Sequence, residues 1–151
     1  SSRTIAALIQ TRDTIDLGSP LLEQLATCWL LENEESLLPE RRRQLKTRRD
    51  MCADLMREYF PQWRFVLPEG GLSFWVELPE MMATRFAARA EGYGIHLGVG
   101  TRFSLAGGGE RNLRIPFTLD DDTLRRAFTT LQPVWATLAG QHGANKMRKI
   151  I

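Results

Sequence analysis

Between residues 72 and 78 apolar and polar side chains alternate, with Leu72, Phe74, Val76 and Leu78 set against Ser73, Trp75 and Glu77. A period of two is that of a strand whose faces meet different surroundings, so this stretch predicts a β-strand. Pro68 and the pair Gly70-Gly71 supply the fixed and positive dihedrals of a tight connection, which predicts residues 64–67 as a hairpin partner. In Asn112-Leu113-Arg114-Ile115-Pro116-Phe117, the side chains of Leu113, Ile115 and Phe117 share one face. Arg114 therefore faces the other way, and Pro116, which has no N–H to give a ladder, predicts an edge strand. Residues 95–97 predict a further short strand.

Elsewhere the apolar spacing is helical. Ile5, Leu8 and Ile9 predict a helix over residues 3–13, which Asp16-Leu17-Gly18-Ser19-Pro20 ends. Leu21, Leu22, Leu25, Cys28, Trp29 and Leu31 restart one, with apolar residues on more than one side, as in a helix that packs against more than one neighbour. Pro39 and Glu40 suit a first turn, with Ser36 as cap, for a long helix that buries Leu45, Cys52, Leu55, Met56, Tyr59 and Phe60. Six cations, Arg41, Arg42, Arg43, Lys46, Arg48 and Arg49, crowd its first half. They could bind phosphate, but no aromatics interleave with them and a solvated basic face is expected. Met82, Phe86, Ala87 and Ala90 predict a short helix closed by Gly92 and Gly94. Ala106-Gly107-Gly108-Gly109-Glu110 is a flexible loop that lacks the lysine and hydroxyl of a phosphate-cradling motif. Asp120-Asp121-Asp122 opens a last helix, in which Leu124, Ala127, Phe128, Leu131, Trp135 and Leu138 face inward and Pro133 introduces a kink. Residues 140–151 have no periodicity and predict a mobile tail.

This order of elements gives an α+β fold, a small antiparallel or mixed sheet covered by helices, and a ferredoxin-like arrangement would suit it equally. A length of 151 residues and 43% hydrophobic residues suffice for one core. A net charge of +2 makes no case for nucleic acid or membrane. Cys28 and Cys52 read as buried free thiols, which fits a reducing cytosol. There is no apolar run long enough for a membrane span and no export signal. The start at Ser1-Ser2-Arg3 without methionine suggests a fragment. His96 and Glu77 form no triad with Ser73 or either cysteine, and no metal-ligand spacing occurs, so no catalytic or metal residue is expected.

The series Pro68-Glu69-Gly70-Gly71-Leu72-Ser73-Phe74-Trp75-Val76-Glu77-Leu78-Pro79, then Gly92-Tyr93-Gly94-Ile95-His96-Leu97-Gly98-Val99-Gly100-Thr101-Arg102-Phe103-Ser104, then Asn112-Leu113-Arg114-Ile115-Pro116-Phe117, resembles the C-terminal small domain of fold-type-I, pyridoxal-phosphate-dependent aminotransferases. Val99 stands where that family usually has a proline. Asp16-Leu17-Gly18-Ser19-Pro20-Leu21-Leu22-Glu23-Gln24-Leu25 is similar to the MocR branch of GntR-family regulators, in which a winged-helix DNA-binding domain is fused to an aminotransferase-like body. The resemblance runs over residues 3–138. It implies a helical segment, residues 1–33, leading from a large domain and lying near a dimer contact; a small domain, residues 34–139; and the tail.

The resemblance also implies that Arg114 pairs in bidentate fashion with the α-carboxylate of a substrate, a match of planar forks that lysine would not reproduce. The Schiff-base lysine and the phosphate ligands of pyridoxal 5′-phosphate would lie in the large domain. Lys46, Lys146 and Lys149 lack that context, so this chain alone is expected to bind no cofactor and to catalyse nothing. The implied partners are the large domain of the same chain, an amino acid or amine ligand, and a second copy in a homodimer. DNA would be met only through a separate N-terminal domain, and the location would be cytoplasmic. The function implied is the small domain of an aminotransferase-like transcriptional regulator. The alternatives are a fragment of a plain cytosolic aminotransferase and a stand-alone interaction module that uses the basic helix.

Overall fold

A computed structural model describes residues 2–15, 20–105 and 107–148, with backbone alone at residues 13 and 141–148. Asp16-Leu17-Gly18-Ser19, Ala106 and Lys149 thus lie outside the described residues. The chain divides into two compact units, Ser1–Arg42 and Arg43–Ile151, and the division falls inside the third helix.

The first unit holds α1 (Ser2–Asp13), α2 (Leu21–Glu32) and the start of α3 (Glu34–Tyr59). No residue of α2 is buried, and Leu22 is 78% exposed and Trp29 55%. The helix α3 starts five residues before the predicted turn at Pro39, which sits inside it. Asn33 forms the junction: its Nδ2 donates to Trp29 O (2.8 Å), and its carbonyl accepts Ser36 N (3.1 Å). The Ser36 hydroxyl therefore donates to Asn33 O (2.8 Å) and does not cap.

In the second unit β1 (Arg64–Phe65), β2 (Ser73–Glu77), β3 (Gly98–Val99) and β4 (Asn112–Pro116) form one sheet in the order β1-β2-β4-β3. Every pairing is antiparallel. The alternation read in the sequence holds except at Leu72, which precedes β2 and is exposed: Phe74, Val76, Leu113 and Ile115 are buried on one face while Trp75 and Arg114 stay exposed on the other. The buried face meets α4 (Ala83–Glu91), α5 (Asp121–Arg148) and the later part of α3, which contribute Cys52, Leu55, Met56, Phe86, Leu124, Phe128, Leu131 and Trp135. Trp63 stacks on Phe60 at 4.0 Å and meets Trp135 edge-on at 5.3 Å, so aromatic rings fill the helix side of the core.

Three expectations change. The strand expected at residues 95–97 lies at Gly98–Val99, because it is these residues that stand opposite Arg114 and Leu113. That puts β4 between two partners and not at an edge. Pro116 is tolerated there because Phe117 N donates to Leu72 O (3.1 Å), so the nitrogen of Pro116 points away from β2, to the side where β3 pairs only Leu113 and Arg114. The backbone of residues 140–148 continues α5, where an unpatterned tail is expected.

Glycine and carboxylates set the helix ends. At the end of α4, Ile95 N donates to Ala90 O (3.1 Å) across Gly94 with φ +74°, a left-handed closure that glycine adopts without a steric cost. Asp120 accepts Thr123 N at 2.9 Å, and this bond holds its carboxyl below the usual carboxylate range. Among the described residues no helix is long and apolar enough to cross a membrane, and no cluster of three or more possible metal ligands occurs.

Candidate functional site

The face of the sheet opposite the core is set by register. Trp75 on β2 and Gly98 on β3 flank Arg114 on β4 as its direct cross-strand neighbours. At these positions Trp75 is 48% exposed, so the arginine stem runs between an indole on one side and bare backbone on the other. A Cβ at position 98 would lie 3.3 Å from both the Cβ and the carbonyl oxygen of Arg114, and 3.7 Å from its Nε.

Beyond β3 a 3₁₀ turn, Gly100–Phe103, brings a second ring to this face. Val99, in the place of the expected proline, enters that turn with φ −77° and ψ 140°, close to the dihedral a proline would impose. The turn is anchored by a close backbone approach: a Cβ at Gly109 would fall 2.6 Å from the carbonyl carbon of Gly100, and one at Gly100 would collide with Gly109 O and Asn112. So held, Phe103 lies with its centroid 5.4 Å from the guanidinium carbon of Arg114 and 5.7 Å from the Trp75 ring, edge-on. Among the described residues Arg114 has no carboxylate partner. The site is one exposed cation set against the Phe103 ring, with Trp75 as its cross-strand neighbour.

The neighbouring charges are committed elsewhere. Arg111 donates through Nη2 to Pro79 O (2.8 Å) and through Nε to Leu78 O (3.2 Å), and lies 3.7 Å from Glu77. Glu110 accepts Thr84 N (3.0 Å) and the Thr84 hydroxyl (2.6 Å), capping α4. His96 stands 4.0 Å from Glu91. Lys46 is exposed on α3.

The structure gives two other sequence readings a different outcome. Cys52 is buried, and burial pushes its thiol up to about 12, whereas Cys28, expected to be buried, is exposed on α2. The basic stretch is only partly solvated: Arg48 donates to Thr118 O (3.0 Å) and Arg49 to Pro68 O (2.9 Å), tying α3 to the loop before β2 and the loop after β4, at the end of the sheet where Ser73 pairs Pro116. Sequence reasoning singled out Arg114 and missed Trp75 and Phe103. The available signal was Trp75 itself, a large ring at a polar position of the strand alternation.

Comparison with known proteins gives a consistent picture. A family model described as aminotransferase class I and II matches residues 1–131. The 2-aminoadipate transaminase of Thermus thermophilus is 33% identical over 117 residues, which is 75% of this chain and 30% of that protein. Among solved structures, the α-aminoadipate aminotransferase of Thermus thermophilus, complexed with N-(5′-phosphopyridoxyl)-L-leucine, superposes with a TM-score of 0.79 at 25% identity, over 93% of this chain and 37% of that one. A multiple substrate aminotransferase from Thermococcus profundus does so with a TM-score of 0.67 at 26% identity, over 82% of this chain and 32% of that one. The chain thus spans 30% of the length of the curated relative it matches.

Proposed function

The chain belongs to the class I and II aminotransferases, and on that premise we propose that it is the small domain of a pyridoxal-phosphate-dependent aminotransferase in which Arg114 holds the α-carboxylate of an amino acid substrate. The observation that carries this reading is the Arg114 guanidinium on the exposed sheet face, without a carboxylate partner among the described residues, flanked by Trp75 and Gly98 and 5.4 Å from the Phe103 ring. A guanidinium presents two parallel N–H donors to the two oxygens of a carboxylate, and each charge-assisted bond is stronger than a neutral one.

The same face does not fit the cofactor. Among the described residues it carries no lysine for an aldehyde, and Gly107-Gly108-Gly109 precede a strand, not the helix N-terminus of a phosphate-cradling motif. No step through pyridoxal phosphate is therefore assigned to residues of this chain. The cofactor, a large domain and a homodimeric arrangement belong to the proposal for the whole protein, as does a cytoplasmic location. The regulator reading, with its DNA-binding domain, rests on the resemblance of residues 16–25. The relatives matched above are aminotransferases, so the enzyme is the reading we favour, and a winged helix upstream of Ser1 would reverse that preference.

The test is made in a full-length protein containing this chain, by titrating Arg114→Lys and Arg114→Ala with L-2-aminoadipate and L-leucine and following the cofactor's absorbance. Affinity should fall from arginine to lysine to alanine, with about 2 to 5 kcal/mol lost at alanine in a desolvated site. Cofactor binding should hardly change. If Arg114→Ala binds both amino acids within about twofold of the parent, under roughly 0.5 kcal/mol, the assignment of Arg114 is wrong.

A further inference from the structure

An arginine side chain on an open sheet face has four rotatable bonds and no reason of its own to keep its fork in one place. Holding it there loses rotamer freedom that a ligand would otherwise have to offset on binding. Around Arg114 two features limit that freedom from the β3 side. Gly98, its cross-strand neighbour, has no side chain, which leaves room for the stem and Nε beside bare backbone. Phe103 then presents its ring to the guanidinium, with the centroid 5.4 Å from Cζ, inside the range of a cation–π contact. Phe103 is itself braced edge-on by Trp75 at 5.7 Å, and its turn is pinned where the backbones of Gly100 and Gly109 meet.

We propose that Phe103 and Gly98 are positioning residues for the carboxylate-binding arginine: Phe103 fixes the plane of the Arg114 guanidinium before substrate arrives, and Gly98 keeps clear the path that the side chain takes to reach it. Neither residue needs to touch the substrate. Because Phe103 is 54% exposed, its removal takes no core packing with it, and a loss of binding on substitution is not a loss of fold. The inference rests on the reading of Arg114 given above.

The experiment uses the full-length protein with L-leucine as probe and its decarboxylated counterpart, 3-methylbutylamine, as control. Phe103→Leu and Gly98→Val should each weaken L-leucine binding by about threefold or more, the range of an exposed to partly desolvated cation–π contact, and leave the amine unaffected. Phe103→Tyr, which keeps the ring, should restore binding. In an Arg114→Ala background Phe103→Leu should cause no further loss, since there is no fork left to position. Crystal structures of Phe103→Leu should show the guanidinium displaced or spread over several rotamers.

Three results would overturn the proposal. One is a Phe103→Leu affinity within threefold of the parent while Arg114→Ala loses much more, which leaves the role of Arg114 intact. Another is an equal loss for leucine and the amine. The third is an undiminished Phe103→Leu effect without Arg114, which makes Phe103 a substrate contact in its own right. If Arg114→Ala itself has no effect, the failure lies in the site assignment and not in the positioning.

Discussion

Cys52 and Cys28 are one residue type in two helices, and burial separates their chemistry. The Cys52 thiol, with no exposed surface and a pKa raised to about 12 by desolvation, stays protonated at pH 8 and out of reach of a reagent. Cys28 is open to solvent on α2. A disulfide reagent at pH 8 should therefore label one thiol of the native 151-residue chain within minutes and the second only on denaturation, and Cys28→Ser should abolish the fast phase. Equal rates for both would mean that α3 opens readily around Cys52. At this scale the sequence is informative where a pattern of two or 3.6 is clean. Arg114 is legible as an outward residue because Leu113 and Ile115 fix the parity of its strand. The exposure of Cys28 is not legible, because α2 is apolar on more than one side and periodicity marks no solvent face there.

The helix α4 shows how an element borrows its stability from a distant part of the chain. Met82 at its N-cap offers no hydrogen-bonding side chain. The first amides are satisfied instead by Glu110, whose carbonyl accepts Ala83 N (2.9 Å) and whose carboxylate accepts Thr84 N. Glu110→Ala should cost about 0.5 to 2 kcal/mol, the usual worth of an N-cap, and nearer the lower figure because Thr84 is exposed. Glu110→Gln should keep most of it. Urea denaturation of the three proteins decides the matter, and equal midpoints would show that water serves as well. This cap could not be read beforehand, since it lies 26 residues from the helix it closes. Asp120 could, because a capping carboxylate beside its own helix is a local signal. The displacement of β3 has the same origin: Ile95-His96-Leu97 has the better strand composition, but pairing with β4 selects Gly98 and Val99.

For the molecule as a whole, the α+β class and the helix order were legible, and the position of β4 within the sheet was not, because Pro116 argued for an edge and strand order depends on contacts far apart in sequence. The first unit is also telling. Leu21, Leu22, Leu25, Trp29, Leu30 and Leu31 are all more than half exposed, an apolar surface of the kind that monomers seldom leave open. The isolated 151-residue chain should self-associate, and a clean monomer in sedimentation at high concentration would argue against that. The inner place of β4 carries a consequence of another kind. A strand flanked on both sides releases its amide protons only when neighbours part as well, whereas an edge can fray alone. The amide of Leu113, whose side chain is fully buried, should therefore exchange with deuterium at the rate of global unfolding, and those of the two-residue strands β1 and β3 much sooner. The arginine is thus mounted on the part of the sheet that stays closed longest, together with Trp75 on the other inner strand, so thermal fraying at the β3 rim would shift Phe103 before it moved the arginine's own backbone.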